Sequence, residues 1–193
     1  LWAWMRAGEV TALVRRVRGA LTAARPGVEL SAAVFPDPAA AFLEKGQDWR
    51  AWAEEGLVDA LYPMAYFGKA ERVEAQLAAV AGEVRPRNPD VKLWAGLGAY
   101  LKEPADIARE AEAALRLGFD GISLYELKAL KTKPGGLSAY AKAVTGTPER
   151  PEVSERARAS SDAPLSRAFE RARTGKEVLP EDAGARVLRR EAE

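Results

Sequence analysis

The sequence contains no cysteine and no histidine. Within this chain, that removes Cys–His and Ser-His-Asp machinery and nearly every zinc or transition-metal site. Proton transfer is left to carboxylates, tyrosines and lysines. Without cysteines there is no disulfide framework from which to read a redox compartment. Apolar runs are too short to span a membrane. Charge of one sign is also lacking, with a formal net charge of +1. The densest basic stretch, Arg15, Arg16, Arg18 and Arg25, interleaves with Val14, Val17 and Leu21. That spacing describes the solvated face of an amphipathic helix, so no nucleic-acid partner is expected. A dinucleotide loop is missing as well. The nearest match, Gly96-Leu97-Gly98, lies inside a strand pattern and has no third glycine. No cofactor is implied.

What remains is a chain of 193 residues, 48% hydrophobic and 30% charged, which suits one domain with a sizeable core. It opens on Leu1 rather than methionine, and Trp2-Ala3-Trp4-Met5-Arg6 reads as the approach to a helix. The expectation is a fragment whose upstream part, with any export signal, lies outside this sequence.

Hydrophobic spacing predicts a helix over residues 9–24, carried by Val10, Leu13, Val14, Val17 and Leu21 and stopped by Pro26-Gly27. A strand is predicted over 28–35, then a short helix from Trp49 with Asp48 as its N-cap. The next strand reads as 58–62. Pro63, which cannot donate to a ladder, marks its boundary and opens a turn over 63–67. The alternation continues with a helix over 69–82, a loop over 86–90 and a strand over 91–100. Pro104 then starts a helix running to Gly118, followed by a strand over 119–125 and a helix within 137–144. Gly56-Leu57-Val58-Asp59 and Gly118-Phe119-Asp120 share one plan, a helix-ending glycine and an aspartate at the strand base. Loop geometry accounts for both aspartates better than chemistry does.

Strands alternating with helices imply a parallel sheet. Small strand residues such as Ala32, Ala33, Ala95, Gly96 and Ala99 favour a layered barrel interior over a doubly wound sheet. The predicted fold class is therefore α/β, a partial (β/α)8 TIM barrel of about the last four strand–helix units. Residues 1–144 would form the C-terminal half-barrel. Residues 145–193 would be a polar tail, largely disordered or partly helical, with a helix at 165–173. A barrel needs eight strands, so the missing N-terminal half-barrel is an expected partner.

In such a barrel the working face lies at the C-terminal strand ends. Those ends carry Phe35-Pro36-Asp37, Pro63-Met64-Ala65-Tyr66, Gly98-Ala99-Tyr100 and Tyr125-Glu126. Aromatic faces stack on the C–H surfaces of sugars, and carboxylates handle hydroxyls and protons. The candidate substrate-binding residues are Phe35, Met64, Tyr66, Tyr100 and Tyr125, and the candidate catalytic carboxylates are Asp37 and Glu126. Each has a plainer reading. Phe35 and Met64 can cap the core, the tyrosines can place hydroxyls in water, Asp37 can serve a turn, and Glu126 can sit at a helix start.

Several motifs together resemble the C-terminal half of the glycosyl-hydrolase-like family 10. They are Val34-Phe35-Pro36, Gly46-Gln47-Asp48-Trp49 with Trp52, Gly56-Leu57-Val58-Asp59 and Pro63-Met64-Ala65-Tyr66. Gly96-Leu97-Gly98-Ala99-Tyr100 and Gly118-Phe119-Asp120-Gly121-Ile122-Ser123 complete the series. The resemblance implies a bacterial TIM-barrel glycoside hydrolase, commonly exported to the periplasm or beyond, with peptidoglycan glycan strands as one substrate type. The family's acidic motif, a strand ending in Asp before an Arg-Tyr-Pro-like segment, belongs upstream of Leu1. No role for Glu126 carries over from the family, so its candidacy is chemical. Two other readings stand beside this one: a non-catalytic carbohydrate-binding or surface-associated barrel, and a barrel enzyme for a phosphorylated substrate. The second would need a Gly-rich phosphate loop after the last strands, where bulky and acidic residues stand instead.

Overall fold

The computed structural model describes residues 1–145. Four parallel strands, β1 (Ser31–Val34), β2 (Ala60–Ala65), β3 (Lys92–Gly98) and β4 (Gly121–Tyr125), lie side by side in chain order. The helices are α1 (Trp2–Ala24), α2 (Pro38–Ala40), α3 (Trp49–Glu54), α4 (Ala70–Val84), α5 (Pro104–Arg116), α6 (Leu127–Thr132) and α7 (Gly136–Val144). Every strand-to-strand connection passes through helix, and the strand order never reverses. The predicted tail and its helix at 165–173 lie outside the described residues.

Alternate strand positions separate two faces. Ala32, Val34, Leu61, Ala65, Leu93, Ala95, Leu97, Ile122 and Leu124 join the core with Val73, Leu77 and Val80 of α4 and Ile107, Ala111 and Ala114 of α5. The other face carries Ala33, Tyr62, Met64, Trp94, Ser123 and Tyr125, none of which belongs to that core. Its side chains fit by size. Tyr62 stacks on Trp94 with centroids 5.9 Å apart. Trp94 in turn lies across Gly121, where a Cβ would come within 2.3 Å of its ring.

The base of the sheet is built twice on one plan. Asp59, just before β2, accepts from the Leu30 N–H at 2.6 Å and from both terminal nitrogens of Arg18 on α1. Asp120, just before β4, accepts from the Leu93 N–H at 2.8 Å and from Arg85 after α4 at 2.9 Å. The backbone adds a reciprocal bond each time, Asp59 N–H to Leu30 O at 2.7 Å and Asp120 N–H to Leu93 O at 2.8 Å. Burial pushes both carboxyls up, but the bonds from Arg18 and Leu30, and from Leu93 and Arg85, outweigh it and hold them below the usual range. The expected loop role of these aspartates thus takes the form of a three-way clamp.

Several boundaries differ from expectation. Helix α1 begins at Trp2 rather than residue 9, because Trp4 packs edge-on against Phe42 at 4.8 Å and Arg6 bonds the Leu43 carbonyl. Helix α6 was not expected. Pro63 does not end its strand: it pairs with Val34 in β1, and Met64 and Ala65 go on to pair with Gly96 and Leu97. Only Tyr62 and Pro63 lack partners on the β3 side. A proline therefore costs this ladder a local gap and not its continuation. Gly96 makes the passage possible, since a Cβ there would stand 2.8 Å from the Pro63 carbonyl oxygen.

Candidate functional site

At the C-terminal strand ends, three tyrosines from three consecutive strands converge. Tyr66 follows β2, Tyr100 sits in a 3-10 turn (Ala99–Leu101) after β3, and Tyr125 ends β4. Tyr66 and Tyr125 stack with centroids 5.0 Å apart and planes 13° from parallel. Tyr100 stands edge-on to both, 6.4 Å from Tyr66 and 5.9 Å from Tyr125. Gly98 lets the Tyr66 backbone approach, because a Cβ at that position would lie 3.2 Å from Tyr66 Cα and Cβ. Tyr100 and Tyr125 are 38% and 48% exposed, so the cluster offers ring surface rather than hiding it. Burial, reinforced by Tyr125 and Tyr100, raises the Tyr66 phenol above its ordinary value. At neutral pH it is a neutral hydroxyl that can donate or accept.

The β1 end is separate from this cluster. The Phe35 N–H donates to Gln47 Oε1 at 2.9 Å, Trp49 Nε1 donates to the Phe35 carbonyl at 3.1 Å, and Lys45 Nζ stands 4.9 Å above the Phe35 ring. These bonds give Gln47 and Trp49 a task that their place in the sequence did not reveal: they fix the strand end. Asp37 caps α2, accepting from the Ala40 N–H at 2.7 Å. Asp48 does the same for α3 through the Ala51 N–H at 3.3 Å, as expected. Met64 is half-buried on the open face opposite Gly96.

Glu126 follows Tyr125 across a cis peptide bond and occupies the N-cap position of α6, without a side-chain cap bond. Asp37 and Glu126 therefore stand at opposite margins of the sheet. Three strand spacings separate β1 from β4, about 14 Å along a flat sheet. Glycosidase carboxylate pairs are about 5–9.5 Å apart.

Behind the cluster lies a set of groups with no evident periodic signal in the sequence. Lys102, two residues after Tyr100, pairs its buried ammonium with buried Glu110 of α5. Its carbonyl accepts from Lys133 Nζ and from the Tyr140 hydroxyl, each at 2.6 Å. Among the described residues, no group of three or more Asp or Glu is arranged to hold a metal, and no helix is long and apolar enough to cross a membrane.

Helix-covered parallel strands in unbroken order, with aromatic rings at their C-terminal ends, define an α/β protein of hydrolase-like build. The particular family follows from the sequence model of the glycosyl hydrolase-like 10 family, which matches residues 1–111. That is more than half of the chain, and the protein belongs to this family. The matched residues include Phe35, Asp37, Met64, Tyr66 and Tyr100, while Tyr125 and Glu126 lie beyond them. A search of curated proteins finds no match.

Proposed function

We propose that this chain is half of a (β/α)8 barrel from a glycoside hydrolase acting on a bacterial polysaccharide, such as the glycan strands of peptidoglycan, outside the cytoplasm. The observation that carries the reading is the three-tyrosine cluster. Stacked and edge-on rings at strand ends, with neutral hydroxyls and no charge among them, suit the C–H faces and hydroxyls of a sugar. The +1 net charge and absence of a basic stripe give a polyanion such as nucleic acid little purchase.

The half-barrel reading rests on the unreversed strand order, on the open face lined by Tyr62, Met64 and Trp94, and on free outer edges at β1 and β4 among the described strands. Helix α1 supports it, since Ala7 is its only buried residue and Trp2, Met5, Leu13 and Val17 stand exposed. Further strands and helices pairing at the β1 edge would cover that side.

Asp37 and Glu126 are the acid/base candidates. Three strand spacings apart, each would work with a carboxylate supplied by the completing half, through an oxocarbenium-like transition state. Alone, the chain binds glycan without cleaving it. A second reading, a non-catalytic carbohydrate-binding barrel, draws on the cap at Asp37, whose carboxylate already has a structural task.

Titration of the purified chain with a β-1,4-linked N-acetylglucosamine hexamer, with reducing ends assayed in parallel, tests this. We expect saturable binding that weakens about tenfold or more in Tyr66→Ala, the loss typical of a central aromatic contact, and no new reducing ends. Failure to bind overturns the carbohydrate reading, and cleavage by the chain alone overturns the claim that it is inert.

A further inference from the structure

We propose that Lys102 is a positioning residue that sets the geometry of the tyrosine cluster by tying three helices to the β3 end. The inference rests on the carbohydrate reading for its purpose, but not for its geometry. The main chain at Lys102 continues directly from the turn that carries Tyr100. Its carbonyl is the shared acceptor for Lys133, between α6 and α7, and for Tyr140 on α7. Its side chain reaches Glu110 on α5. Helix α6 begins two residues after Tyr125, so the tie holds both the turn bearing Tyr100 and the segment continuing from Tyr125.

The tie is built for rigidity. The Tyr140 side chain is fully buried, the Lys102 and Glu110 side chains are 4% and 2% exposed, and the Lys133 ammonium stands 5.8 Å from the Tyr140 ring centroid. A buried carbonyl with two donors, one of them charged, is held more firmly than a surface turn by water. The Tyr100 and Tyr125 rings meet at 82° and 5.9 Å because the segments behind them are fastened to one atom, the Lys102 carbonyl oxygen.

Fluorotyrosine labelling of the full chain reads this directly, because its five tyrosines are Tyr62, Tyr66, Tyr100, Tyr125 and Tyr140. Tyr140→Phe keeps the buried ring and removes one donor, and adding Lys133→Met removes the other. We expect the Tyr100 and Tyr125 fluorine resonances to shift in both variants while Tyr62, stacked on Trp94 lower in the sheet, stays in place. A role in stability alone would lower the unfolding midpoint and leave all these resonances where they were, which would overturn the proposal. Should the double variant unfold, seen as collapse of the Tyr62 signal, Tyr140→Phe alone decides.

In the same samples, affinity for the N-acetylglucosamine hexamer should fall about fivefold in Tyr140→Phe, the equivalent of one hydrogen bond. Moved rings with unchanged affinity would overturn the link to binding. Absence of binding by the unsubstituted chain would overturn the carbohydrate reading instead, and the resonances would still decide the positioning claim.

Discussion

The two ends of the sheet use polar chemistry in opposite ways. At the base, each carboxylate is consumed: Asp59 and Asp120 face an arginine and a strand amide, and no lone pair is spared for a ligand. At the top, charge is scarce among the rings, and Tyr66, Tyr100 and Tyr125 meet one another while keeping exposed surface. A buried or half-buried charge with fixed partners makes a joint, whereas a partly wet aromatic ring makes a platform. An aspartate near a strand is therefore not in itself a catalytic candidate. Which end of the strand it occupies, and whether its oxygens are already engaged, decides the matter.

Three measurements sharpen or break that contrast. The largest effect should come from Asp59→Ala combined with Asp120→Ala. Each change strands a strand amide and an arginine, at about 1–3 kcal/mol apiece, and the two sites share no partner, so the losses should add. Urea unfolding measures the sum, and tight hexamer binding by the remaining folded protein is expected. If the double variant keeps wild-type stability, the clamp is decorative.

Next is Gly96→Ala, which drives a methyl group against the Pro63 carbonyl and should cost about 1–3 kcal/mol. The smallest effect is a slope with pH. Because Asp59 and Asp120 have carboxyls held below the ordinary value in the fold, their stabilisation is complete above about pH 4 and lost as pH falls through the depressed folded values. Glu110, raised by burial against the opposing pull of Lys102, acts with the opposite sign and favours the fold as its carboxylate takes up a proton. Asp59→Asn should flatten the acid limb of the stability curve. An acid limb as steep as that of the unsubstituted chain would place its origin elsewhere.

Much of the architecture was legible because its signals are local. Strand–helix alternation, the Asp48 cap and Pro104 at the start of α5 each depend on neighbours within a few residues. The paired glycine–aspartate motifs were visible too, but not the arginines that complete them. Arg18 and Asp59 are 41 residues apart and Arg85 and Asp120 35 apart, so no spacing rule could join them. Pro63 misled for a related reason. The rule that proline ends a strand considers one residue's lost donor, while the strand survives through its pairing with β1 and through a glycine 33 residues away. At the site, the strand-end tyrosines could be named from the pattern, but their convergence depends on strand order. Lys102 and Tyr140 escaped notice because a carbonyl acceptor has no side-chain signature.

The repeated aspartate clamp also acts as a gauge of length. It makes Leu30 level with Asp59 and Leu93 level with Asp120, and sliding either strand by one residue would break the side-chain and backbone bonds together. In a closed sheet, the stagger between neighbouring strands fixes their tilt and hence the diameter of the barrel. Two carboxylates at the far end from the tyrosines would thereby help to determine how wide a mouth those rings surround.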